Sequence, residues 1–145
     1  MPAITTEGFI LALHALTDTS WIVTWLTKDH GKLKTVAKAA RRPNSPFAGQ
    51  LDLFFRLSLT YSESRKSELH TLREVRLIAQ PAELRRDYTA LKTAGKLAEF
   101  LIKTLEPEFP DPELYEMCVR YLETFEGSET KAREELREQI WKHLK

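Results

Sequence analysis

Between Lys28 and Arg42 the sequence sets six cations, Lys28, Lys32, Lys34, Lys38, Arg41 and Arg42, against the single acid Asp29. If Lys32 to Lys38 forms a strand, Lys32, Lys34 and Lys38 project from one face and Leu33, Thr35 and Ala37 from the other. Cations two apart on a strand stand about 6.7 Å from each other. Such a row can follow the phosphates of a nucleic-acid backbone, each neutralised phosphate releasing counterions and adding salt-dependent affinity. The same row would also serve as a solvated face whose lysines guard a sheet edge. The adjoining Arg41-Arg42-Pro43-Asn44-Ser45-Pro46 is a basic, proline-stiffened loop, better suited to reaching a ligand than to filling a core, and it favours the first use.

Farther along, Phe54 and Arg56 lie opposite an apolar stripe. They could supply a base-stacking platform with a cationic neighbour, or equally sit beneath a helix. Trp21 and Trp25 share a face with Val23 and read as core. The candidate nucleic-acid-binding set is therefore Lys32, Lys34, Lys38, Arg41, Arg42, Phe54 and Arg56.

No catalytic constellation accompanies this set. His14, His30, His70 and His143 stand apart from acids and cysteines in metal-ligand spacing, and no phosphate-cradling glycine loop occurs. Cys118 is the sole cysteine and sits in a helical pattern where a small buried hydrophobe is expected. A disulfide framework and a multi-cysteine zinc site made by this chain alone are thereby excluded. We expect no catalytic residue, no cofactor and no metal.

The elements that must position these residues change character near Pro81. Before it, strand patterns dominate: Phe9 to Leu16, Trp21 to Thr27, Lys32 to Lys38, Leu51 to Tyr61 and Leu69 to Ile78. Gly31, after Asp29 and His30, suits a short turn between the second and third. In the fourth, Leu51, Leu53, Phe55, Leu57, Leu59 and Tyr61 alternate onto one core face. Five strands in this order suggest a small meandering barrel over residues 1–80.

From Pro81 the period becomes that of helices, which occupy residues 81–145. Leu84, Tyr88, Leu91, Gly95, Ala98, Ile102 and Leu105 make one stripe of a single long helix. Asp111-Pro112 reads as the start of a second, carrying Leu114, Met117, Tyr121 and Phe125 and ending at Gly127-Ser128. Ala132, Leu136, Ile140 and Leu144 mark a third, with Glu129 to Arg133 and Glu138 to Lys142 as surface ion pairs. The fold class is α+β, a five-stranded barrel followed by three helices.

Composition agrees with a folded domain, since 42% of the 145 residues are hydrophobic and 30% charged. Charge separates along the chain: 11 Lys and Arg against 7 Asp and Glu through Gln80, and 11 against 14 beyond it. That asymmetry fits an amino-terminal part that meets a polyanion. No run approaches the roughly 20 apolar residues that span a bilayer, and the first residues lack a secretion signal, so a cytoplasmic location is expected. The last helical pattern is still running at Leu144.

The segments Thr6 to Leu11, Asp18 to Val23, Leu26 to Lys34 and Val36 to Pro43 resemble, in order and spacing, the amino-terminal domain of the RecO family, and the resemblance extends through Leu51 to Phe54 and into Arg86-Asp87-Tyr88. It implies an OB-fold barrel followed by a helical domain. It also implies a non-enzymatic DNA repair and recombination mediator that binds single-stranded DNA, anneals complementary strands and helps place RecA on DNA coated by the single-strand-binding protein SSB. RecR and SSB would be its partners, with an SSB-tail groove on the helices near Arg120 or Lys103. The family's basic strand and ARRP loop map onto Lys32, Lys34, Lys38, Arg41 and Arg42. Two departures stand out: a glycine often found near Ala39 is absent, and Asn44-Ser45-Pro46 replaces a more basic continuation. The competing expectation is a barrel that has kept its scaffold and binds a protein partner instead of DNA.

Overall fold

The computed structural model describes residues 2–123 and 130–144. Five strands, β1 (Ala3–Ala15), β2 (Trp21–Thr27), β3 (Gly31–Ala37), β4 (Arg56–Ser62) and β5 (Leu69–Ala79), close a barrel in the order β1-β2-β3-β5-β4. The barrel is not a meander. β4 crosses over to pair with β1, and β5 pairs with β3 in parallel, Lys34 opposite Leu69 and Val36 opposite Thr71. This Greek-key connectivity is that of the OB-fold.

β1 is longer than its apolar core, Phe9 to Leu16, suggested. Its first half pairs with β4 and its second half with β2, with a register shift between Ile10 and Ala12. The bulge lets one strand serve both sides of a tightly curved barrel. Inside lie Ile10, Val23, Trp25, Leu33, Ala37, Leu57, Leu59, Tyr61 and Leu72, with Phe47 and Phe55 against the same cluster. Trp25 Nε1 donates to Thr35 Oγ1 at 2.9 Å, so its one polar atom is satisfied in the interior.

The alternation expected from Leu51 to Tyr61 holds only from Arg56 onward. Phe54 takes φ 67°, and both Phe54 and Phe55 are buried. Phe54 N–H donates to Ile10 O while Phe55 O accepts from Ile10 N–H. The left-handed residue ends the regular strand on this side of Arg56, while the two neighbouring phenylalanines face opposite ways and enter different cores, Phe54 that of the helices and Phe55 that of the barrel.

The single helix expected from Pro81 is two. α1 (Ala82–Arg86) stops at Asp87, whose side chain accepts from Ala90 N–H and caps α2 (Tyr88–Thr104). Tyr88, placed by its spacing on the buried stripe, is therefore exposed. Asp111 caps α3 (Pro112–Glu123) through Leu114 N–H at 3.0 Å, as its sequence suggests. α4 (Thr130–His143) follows. Phe125, Gly127-Ser128 and the Glu129 to Arg133 pair lie outside the residues whose placement or side chains are described.

Ala90, Ala94, Ala98 and Leu101 of α2, with Leu114, Tyr115, Cys118 and Tyr121 of α3, form a second core that takes in Phe9, Leu11, Leu26 and Phe54 from the barrel's outer surface. Each fully buried leucine or phenylalanine among them contributes about 1.5–3 kcal/mol over exposure. Barrel and helices thus share one apolar interface.

The α2–α3 connection reinforces it. Glu108 N–H donates to Lys32 O at 2.7 Å, and Glu108 Oε1 meets the buried His70 Nε2 at 3.1 Å. His70 Nδ1 accepts from Ser64 N–H at 2.9 Å, which leaves Nε2 to carry the proton toward Glu108. Gly31, at φ 67°, lies so close to the Phe109 main chain that a Cβ would collide with it.

Candidate nucleic-acid interface

The basic row of β3 divides when its surroundings are built. Along the strand Leu33, Thr35 and Ala37 are buried and Lys34 is exposed; Lys38, just beyond, is also exposed. Lys34 stands level with Thr24 of β2 and Leu69 of β5. Neither lysine has a side-chain hydrogen bond or ion pair among the described residues, and the same holds for Arg42. Flexible, unpartnered cations of this kind suit phosphate oxygens, which carry no base information.

Lys32 is different. Its ammonium donates to Ile102 O, near the carboxy-terminal end of α2, at 2.7 Å, where it meets the negative end of the helix dipole. Partial burial, and then the neighbouring Lys34, hold its pKa below the usual lysine range. Lys32 ties the helices to the barrel and so stands apart from the free cations of the row.

Phe54 and Arg56 also leave the candidate set. Phe54, expected to offer a stacking face, is 4% exposed in the core shared with α2 and α3. Arg56 is held by two carboxylates, Glu7 Oε2 at 3.0 Å and Glu123 Oε2 at 2.9 Å. The possibility that these residues lie beneath a helix is the one realised.

Arg41 is exposed and yet constrained. Its main-chain N–H donates to Thr19 O at 2.9 Å and its Nη1 to Thr17 O at 2.8 Å. Its guanidinium carbon lies 4.9 Å from the centroid of the Trp21 ring. Ala39 N–H donates to Ser20 Oγ at 3.2 Å. These contacts lace the β1–β2 loop to the turn after β3. Trp21, read as interior, packs against the barrel core from its rim, while Trp25 is wholly buried.

The parallel β3–β5 pairing puts the β4–β5 turn at the Gly31 end of β3, opposite the Trp21 end. Arg65 and Lys66 are exposed on that turn, with Glu63 and Glu68 beside them. Local patterning marks Ser62 to Ser67 only as a turn, because a parallel pairing leaves no trace in local periodicity. The lysines of β3 thus run between two loop clusters, the β1–β2 loop with Arg41 of the turn after β3 bonded to it and the β4–β5 turn carrying Arg65 and Lys66.

Among the described residues, no group of three or more His, Cys, Asp or Glu is placed to hold a metal ion. Cys118 is buried in the helical core, which pushes its thiol pKa well above the ordinary value. No helix among the described residues is long and apolar enough to cross a membrane.

A family model described as "Recombination protein O N terminal" matches residues 1–81. The chain is 31% identical over 128 residues to a protein named DNA repair protein RecO from Syntrophus aciditrophicus, covering 88% of this chain and 49% of that one. It is 36% identical over 103 residues to a protein of the same name from Bifidobacterium longum subsp. infantis, covering 70% and 42%. A third, from Burkholderia pseudomallei, is 37% identical over 109 residues, covering 75% and 38%. The chain therefore spans half or less of the length of these relatives.

Proposed function

Because the chain belongs to the RecO family of DNA repair proteins, we propose that its barrel binds single-stranded DNA as part of a non-enzymatic recombination mediator acting in the cytoplasm. The observation that carries the reading is the set of exposed cations without partners, Lys34, Lys38 and Arg42, on an OB-fold barrel. Lysine and arginine contacts to phosphates give affinity with little sequence preference. That property suits a protein that must act on any exposed strand, by annealing complementary strands and placing RecA. RecR and SSB are the partners this reading assigns.

The test is a fluorescence-anisotropy titration of a labelled oligonucleotide at several salt concentrations. Phosphate binding gives a steep linear fall of log affinity with log salt. A barrel that takes a protein partner instead gives no measurable oligonucleotide binding.

The helices offer the better place for SSB. Phe100 of α2 and Trp141 of α4 stack at 4.4 Å and line a groove of about 290 Å³ with Leu97, Lys96, Arg137 and the single acid Glu138. Apolar rings flanked by cations suit an acidic tail with an apolar end. Lys96 and Arg137 replace Lys103 and Arg120, both exposed elsewhere, as the cations assigned to it. Lys96→Glu with Arg137→Glu should abolish binding of the isolated acidic tail peptide while the protein stays folded; undiminished binding rejects this groove.

A further inference from the structure

Arg41 is the one cation of the loop that is held before any ligand arrives. One guanidinium N–H is spent on the Thr17 carbonyl, one side of the group is covered by the Trp21 indole, and the main chain is fixed to Thr19. The residue as a whole remains exposed. The side chains of Lys34, Lys38 and Arg42 have no such restraints among the described residues. The loop that holds Arg41 also carries an apolar side chain at the surface, since Leu16, next to Thr17, is 47% exposed.

A planar cation held over an indole, its central carbon 4.9 Å from the ring centroid, does two things that a free lysine cannot. It presents a flat, weakly hydrated surface on which a nucleobase can stack, and it has already lost the rotamer freedom that binding would otherwise take away. We propose that the solvent face of the Arg41 guanidinium, backed by Trp21, is a stacking shelf for one nucleobase of the bound strand, whereas Lys34, Lys38 and Arg42 hold its phosphates. This rests on the single-stranded DNA reading above and deepens it: the site would sense that a base is present, and not only its charge.

The experiment compares a labelled oligothymidylate with an abasic oligonucleotide of equal length, which keeps the phosphates and lacks the bases. Each is titrated into the wild-type protein and into Arg41→Lys, with thermal melts of both. Wild type should bind the thymidylate several-fold or more tightly than the abasic strand. Arg41→Lys keeps the charge, so its salt slope and its abasic affinity should match wild type, and only the preference for bases should collapse. Equal wild-type affinity for the two strands overturns the proposal without reference to any variant. So does a folded Arg41→Lys protein that keeps the full preference. If wild type binds neither strand, the single-stranded DNA reading itself fails, an outcome distinct from loss of base preference alone.

Discussion

The Tyr115 hydroxyl of α3 donates to the Glu7 carboxylate of β1 at 2.8 Å. The same carboxylate oxygen receives Arg56 of β4 at 3.0 Å, and Arg56 reaches on to Glu123 at the end of α3. This chain of charges lies at the edge of the apolar interface and fixes α3 on the barrel. Removing Arg56 leaves Glu7 and Glu123 near each other without their cation. Arg56→Ala should destabilise the fold by about 1–3 kcal/mol, read by urea unfolding, and should leave the salt slope of oligonucleotide binding at the wild-type value. A lower slope in the folded variant would return Arg56 to the DNA-contacting set.

Acid should weaken the same clamp. Partial burial alone would raise the Glu7 pKa, but the hydrogen bonds from Tyr115 and Arg56 outweigh it and hold the carboxyl below its ordinary value of 4.5. A folded-state pKa below the unfolded one means the contribution is complete above the unfolded value and is lost as pH falls through the folded value. The stability advantage of wild type over Glu7→Gln should therefore be full at neutral pH and shrink below about pH 4.5. Unfolding curves of both proteins between neutral pH and about pH 3 test it; an advantage that grows toward acid contradicts the assignment.

Two turn positions should respond oppositely to exchange of glycine and alanine. Gly31→Ala puts a Cβ at φ 67° against the Phe109 main chain, and the backbone conformation alone costs about 1–3 kcal/mol. Ala39 already occupies the left-handed region at φ 59°, a conformation that favours glycine. Ala39→Gly should relieve that strain and stabilise by about 0.5–1 kcal/mol. Thermal melts would show one variant falling and the other rising.

Much of this was legible in the sequence, and the misses have a common cause. Strand alternation, the Gly31 turn and the Asp111 cap are local signals, and each places its element. Lys32 and Lys34 are indistinguishable by alternation, yet only Lys32 meets Ile102, 70 residues away. Period two assigned Phe54 an outward face, which it has, yet nothing local announces that α2 and α3 cover that face. Asp87 sits inside a helical stripe and interrupts it by capping the helix that follows, a role that spacing alone leaves hidden. The crossover that sends β5 to β3 is set by the closure of the barrel as a whole.

The most direct test removes only the free cations. Lys34→Ala, Lys38→Ala and Arg42→Ala together should change stability by no more than about 0.5 kcal/mol per site, all three being exposed and unpartnered. For a single strand, each phosphate left without its protein cation lowers the slope of log affinity against log salt by about 0.7. Anisotropy titrations of one labelled oligonucleotide across a salt series should thus show a slope reduced by up to about 2 in a variant that melts like wild type. A folded triple variant with wild-type affinity and an unchanged slope would contradict the account and leave the barrel face to a protein partner.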